Sequence, residues 1–150
     1  MPADRIVVTA AVIERDDAFL VTRRLKGTHL EGYWEFPGGK CDAGETHEGC
    51  LARELMEELG ARSRVGREIL CTSHDYAERI VELHFFACEL LDEPHPRIGQ
   101  EMRWVARADL HALTFPPADA ELLGIIRDSR WGLTGERSNG ETKAQASANS

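Results

Sequence analysis

Apolar residues fall into short runs separated by polar turns, and their spacing changes along the chain. Ile6–Ile13 is almost continuously apolar. Phe19–Arg24 follows after Glu14-Arg15-Asp16-Asp17, and both lengths suit strands joined at Asp16-Asp17. Lys26–Tyr33 is a polar, glycine-containing loop, and Trp34–Phe36 is a short extended segment ended by Pro37-Gly38-Gly39. From Thr46 the period lengthens. Leu51, Leu55 and Leu59 recur every fourth residue, which predicts a helix from a Thr46 cap to Leu59 with Gly60 just past its end. Val65–Ser73 and Ile80–Leu90 return to strand character, and Val81, Leu83, Phe85 and Ala87 make an alternating face. Asp92–Gly99 is a loop, and Met102–Val105 is a short strand. Pro117 suits the first turn of a final helix whose Leu122, Leu123, Ile125 and Ile126 pack inward. After Trp131 the apolar periodicity stops, so residues 133–150 read as a disordered tail behind one domain, residues 1–132. This order of elements predicts an α/β fold with helices on both sides of a mixed sheet.

The charges on the middle helix do not serve its own stability. Glu54, Glu57 and Glu58 share one face, and like charges at these spacings cost roughly 0.2–0.5 kcal/mol per pair. Glu57 and Glu58 also lie in the last turn, where the helix dipole disfavours negative charge. A solvated acidic face is the plain alternative. Placement beside the apolar stripe, at the unfavourable helix end, points instead to a hard divalent cation such as Mg²⁺, or Mn²⁺, held by carboxylate oxygens.

The spacing is more specific still. Gly39, five residues, Glu45, seven residues, Arg53-Glu54-Leu55, one residue, Glu57-Glu58, one residue and Gly60 match the Nudix box at every charged and glycine position. Ala61 stands where a larger aliphatic is usual. With Trp34–Lys40 before the box and Phe115-Pro116-Pro117-Ala118-Asp119 after it, about residues 5–128 resemble the MutT branch of the Nudix hydrolases. The resemblance implies an α/β/α Nudix sandwich with the box as loop–helix–loop. It also implies the site: Glu54, Glu57, Glu58 and the Gly38 carbonyl as metal ligands, with Glu54 catalytic and an Arg53–Glu45 pair orienting it. Arg24, His29 and Arg79 fall where such enzymes contact phosphate and sugar, and Phe36 is a candidate to lend backbone groups or its ring to the base, with a core aromatic on a strand as the plain alternative. Ile98 stands where the closest alignment would put a further glutamate, which makes Glu101 the candidate replacement as ligand or general base.

Asp119 occupies a position that is usually asparagine in MutT. An ionised carboxylate only accepts hydrogen bonds, whereas an amide donates as well. The first expectation is a Mg²⁺-dependent nucleoside triphosphate pyrophosphohydrolase acting on 8-oxo-dGTP, that is, a nucleotide-pool sanitation enzyme. The alternatives are a CTP or 5-substituted dCTP pyrophosphohydrolase, a hydrolase of ADP-ribose or nucleotide sugars, and a non-catalytic nucleotide-binding module. The last of these typically loses box glutamates, and this chain keeps them.

Composition narrows the partners. The chain has 150 residues, 42% of them hydrophobic, enough to build one core. Its net charge of −8 argues against binding along a nucleic-acid backbone and leaves a small nucleotide as the partner. Apolar runs are too short to span a membrane, and the first one lacks a cleavage-like region. Cys41, Cys50, Cys71 and Cys88 show no C-x-x-C spacing, so they read as reduced thiols of a cytoplasmic protein, monomer or homodimer.

Overall fold

The computed structural model describes residues 4–128. The strands are β1 (Asp4–Val12), β2 (Glu14–Arg15), β3 (Ala18–Arg23), β4 (Trp34–Glu35) and β5 (Gly38–Lys40), followed by helix α1 (His47–Leu59). Then come β6 (Ser63–Tyr76), β7 (Arg79–Leu90), β8 (Met102–Ala106) and helix α2 (Ala120–Asp128). A 3₁₀ turn over Pro117–Asp119 leads into α2, so Pro117 opens that turn and the α-helix proper begins later than its sequence suggests. The expected tail at residues 133–150 lies outside the described residues. Among the described residues, no helix is long and apolar enough to cross a membrane.

One mixed sheet runs β5-β1-β7-β6, with β1 and β7 parallel and the outer pairs antiparallel. A smaller antiparallel sheet joins β2, β3, β4 and β8. Period-two alternation sorts the core into two layers. Ala10, Val12, Phe19, Val21 and Phe85 pack with Leu122 and Ile126 of α2 on one side. Ala11, Ile13, Leu20, Phe86 and Cys88 pack with Leu51, Leu55 and Leu59 of α1 on the other. This is the α/β/α sandwich expected from the order of elements.

Helix α1 has the predicted ends. The Thr46 hydroxyl accepts from the Gly49 N–H at 3.0 Å, and Gly60 takes the left-handed conformation with φ 64°. Leu51, Leu55 and Leu59 are fully buried, each contributing about 1.5–3 kcal/mol. That outweighs the repulsion among the three glutamates, so packing holds the helix and frees its acidic face for another use. Gly38–Lys40 pairs with Ala10–Val8 as a strand, where the sequence suggested only a turn.

The cysteine reading needs correction. Cys41 and Cys50 are joined by a disulfide across a Cα separation of 5.3 Å. The loop after β5 turns back onto the first turn of α1 and brings together two cysteines nine positions apart, a spacing without a motif signature. Cys71 and Cys88 are the free thiols.

Candidate active site

The site is assembled where the start of α1's acidic face meets the glycine strand β5. Arg53 organises it. Its Nε donates to Glu45 Oε2 at 2.6 Å and its Nη2 to Glu45 Oε1 at 2.9 Å, a bidentate fork. Nη1 donates to Glu54 at 3.0 Å and to both Glu57 oxygens at 3.2 Å, while Nη2 reaches the Lys40 carbonyl at 3.2 Å. One guanidinium thus ties the loop, the strand and two box glutamates together. The Arg53 fork, with the Asp42 backbone N–H after it, holds the Glu45 carboxyl down to about 2.

Gly39 lies against Glu54 so closely that a Cβ there would overlap the carboxylate. At Gly38 a Cβ would overlap the backbone of Thr9 and Ala10. Only glycines let β5 run this close to both β1 and the helix. Glu58 lies beside Glu54, and its carboxyl is pushed up to about 8, first by burial and then by the Glu54 charge. Its neighbour across the helix end is Gln100, whose Nε2 donates to the Glu58 carbonyl at 2.9 Å and satisfies part of the exposed helix terminus.

A cavity of about 440 Å³ opens from these carboxylates over the sheet. Gly38, Glu54 and Glu58 line one part of it, and Arg24, His29, Phe36 and Asp119 line the rest. Phe36 stacks on Phe115 with ring centroids 5.3 Å apart and meets Phe85 edge-on. Arg24 donates to Glu35 Oε1 at 2.9 Å. Burial raises the Glu35 carboxyl and Arg24 only partly offsets this. Asp119 is only 5% exposed. Burial, and then the charge of Glu35, push its carboxyl up to about 7.

Not every residue singled out in the sequence comes to this cavity. Glu57 is exposed on the rim of α1, held by Arg53. Arg79 sits at the β6–β7 hairpin opposite Tyr76, and Tyr76 rather than Arg79 lines the cavity. Glu101 lies elsewhere. Its oxygens accept from Arg23 at 3.2 Å and Arg103 at 3.0 Å, and both arginines hold its carboxyl below the usual range. Conversely, Glu35, Tyr76 and Lys40 line the cavity without having been singled out. For Glu35 the available signal was a charge on an extended segment between two buried aromatics, which reads equally well as a solvent-facing position.

Residues 8–124 match the family profile of the NUDIX domain. The chain belongs to the Nudix hydrolase family. Like other Nudix hydrolases of its MutT-like branch, it is an enzyme that cleaves phosphoric anhydrides. It is 39% identical over 122 residues to the 8-oxo-dGTP diphosphatase of Haemophilus influenzae, covering 79% of this chain and 90% of that protein. It is 34% identical over 123 residues to the CTP pyrophosphohydrolase of Escherichia coli, covering 79% and 88%. The crystal structure of a MutT Nudix hydrolase from Burkholderia pseudomallei superimposes with a TM-score of 0.73 at 27% identity, covering 81% of this chain and 97% of that one.

Nudix hydrolases use divalent metals, and this Nudix site fits one. Its donors are all oxygens, the choice of a hard cation. Burial first, and then the neighbouring Glu54 charge, raise the Glu58 carboxyl, and a cation held between the two would favour their ionised forms.

Proposed function

We propose that this Nudix hydrolase is a Mg²⁺-dependent nucleoside triphosphate pyrophosphohydrolase that converts a (d)NTP and water to a (d)NMP and pyrophosphate, with 8-oxo-dGTP as its first substrate. The observation that carries the proposal is one continuous cavity with carboxylates for a metal at one part and a buried, aromatic-flanked hydrogen-bonding group at the other. Its volume, about 440 Å³, lies in the range of small-ligand sites.

In this reading Glu54, Glu57, Glu58 and the Gly38 carbonyl hold the metal. A divalent ion bound there supplies neutralisation of the phosphate charge and a water of lowered pKa. Arg53 keeps Glu54 and Glu57 in place, and Glu45 anchors Arg53 from the loop side. Arg24 brings positive charge to the phosphates inside a cavity otherwise rich in carboxylates. His29 borders the same space and serves the sugar or phosphate, and Arg79 at the hairpin tip serves incoming phosphate from outside the cavity. Phe36 offers its face to the base. Glu101, ion-paired to Arg23 and Arg103, is left with a supporting role on the loop before β8.

Asp119 carries the base preference. Burial pushes its carboxyl up to about 7, so below that pH it both donates and accepts, as the more usual asparagine amide does. Such a pair suits the edge of 8-oxoguanine, which offers the O6 acceptor beside the N7–H donor. Ionised, the same group would accept from the exocyclic amine of cytosine, and the similarity to a CTP pyrophosphohydrolase keeps that as the second reading. A panel of nucleotides with Mg²⁺, read by pyrophosphate release, tests both. The expected result is highest kcat/KM for 8-oxo-dGTP. Preference for CTP or 5-substituted dCTP would select the second reading, and hydrolysis of ADP-ribose without triphosphate turnover would overturn both. Asp119→Asn should change the ratio of 8-oxo-dGTP to CTP hydrolysis.

A further inference from the structure

On the α1-facing side of the sheet, away from the cavity, lies a second group of donor side chains. Strand β7 presents Glu82 and His84 on one face, two residues apart, and β6 places Cys71 directly opposite His84. Helix α1 begins with His47, whose ring centroid is 4.0 Å from that of His84. His84 is 6% exposed, and both of its nitrogens are engaged. Nδ1 lies 2.7 Å from Glu68 Oε2 and Nε2 lies 2.6 Å from Glu82 Oε2. Cys71 Sγ is 3.8 Å from Nε2. One donor atom each from His47, Glu82 and His84 falls within 4.8 Å of the others.

We propose that His47, Glu82 and His84 form a second metal site, for a borderline-soft divalent ion of the Zn²⁺ class, separate from the carboxylate site of the Nudix box. The donor chemistry discriminates between the two ions. Two imidazoles, one carboxylate and a nearby thiol suit Zn²⁺, whereas Mg²⁺ wants oxygen ligands. The geometry is near what is needed: ligands about 2.0–2.2 Å from a tetrahedral ion stand roughly 3.3 Å apart, and here His84 Nε2 and Glu82 Oε2 are 2.6 Å apart with all three donors within 4.8 Å of one another. Metal binding replaces the hydrogen now shared between His84 Nε2 and Glu82. Arg5 already holds the other oxygen of Glu82 at 3.0 Å, which leaves Oε2 for the ion. Glu68 accepts from Nδ1–H and so fixes the His84 ring with Nε2 toward the metal, the usual arrangement behind a metal-bound histidine. Three protein ligands leave a fourth position open for water, with Cys71 close to His84 but grouped with Glu68 instead of His47 and Glu82. The ion would tie the first turn of α1 to the central strand.

The test uses the full chain, stripped with a chelator and then titrated with Zn²⁺ or Co²⁺ in excess Mg²⁺, which keeps the box glutamates occupied. Wild type should take up one tight Zn²⁺ equivalent and gain in Tm, and the box variant Glu57→Gln should do the same. His47→Ala and Glu82→Gln should each lose the Tm gain, and Glu68→Gln should weaken Zn²⁺ about 10–100-fold. With Co²⁺, visible bands of a tetrahedral ion should appear, and should vanish in His47→Ala. Circular dichroism of each variant separates loss of the site from loss of the fold. If Zn²⁺ does not bind in excess Mg²⁺, or binds equally well to His47→Ala and Glu82→Gln, the proposal is overturned. His84 is then a core histidine held between two carboxylates and nothing more.

Discussion

Replacing Asp119 by asparagine should make the protein more stable above neutral pH. Asp119 is 95% buried, a carboxyl with 5% exposure, and no hydrogen bond or ion pair to its side chain occurs among the described residues. Burial and the nearby Glu35 charge raise it from an ordinary value of 3.8 to about 7. The sign follows from proton counting. Between these two values the unfolded chain has released the Asp119 proton and the folded chain still holds it. Folding then takes up a proton, so stability falls as pH rises through this window and levels off above about pH 7. The span from 3.8 to about 7 corresponds to roughly 4 kcal/mol over the whole window. Between about pH 5 and pH 8 only the part from pH 5 to about 7 applies, or roughly 3 kcal/mol. Asparagine has the same shape and no proton to lose. Urea unfolding of both proteins in chelator, at about pH 5 and pH 8, isolates this residue, because Glu35 and Glu58 titrate in both. The variant should gain on wild type by roughly 3 kcal/mol between the two conditions. If the two proteins show the same pH dependence, Asp119 is ionised in the folded state. The donor–acceptor argument for 8-oxoguanine then fails with it.

Glu54→Gln and Glu57→Gln should each lower kcat at least about 100-fold while circular dichroism stays native, and near-normal initial rates in both would remove the metal assignment. Arg53→Lys should lower kcat about 10–100-fold, because a lysine ammonium cannot fork to Glu45 and still reach Glu54 and Glu57; wild-type kinetics would mean the fork does not orient the glutamates. Thiol labelling of the oxidised native protein should modify the exposed Cys71 before Cys88, which is buried with its thiol pushed up to about 12. Rapid labelling of Cys41 without reductant would contradict the Cys41–Cys50 bond.

What the sequence revealed and what it concealed divide along the range of the interactions involved. Leu51, Leu55 and Leu59, the Thr46 cap and the left-handed Gly60 act within a few residues of one another, and all are visible as spacing. The box glutamates are legible for the same reason, since one helical turn fixes which of them share a face. Strand β5 was hidden because glycine disfavours strands and carries no side chain to alternate. Only pairing with β1 makes Gly38–Lys40 extended, and that pairing also presses Gly39 against Glu54. Glu35 and Asp119 were harder still. Their chemistry depends on burial, and the walls around Asp119 come from segments as far apart as Phe36 and Pro116. Read locally, Asp119 is a charged residue at a helix start. Folded, it is a buried carboxyl, raised to about 7, facing a cavity. The same holds for His47 and His84, thirty-seven positions apart and nearly in contact. The reaction class therefore follows from local pattern, while substrate choice and the second metal site depend on long-range packing that sets which charges survive.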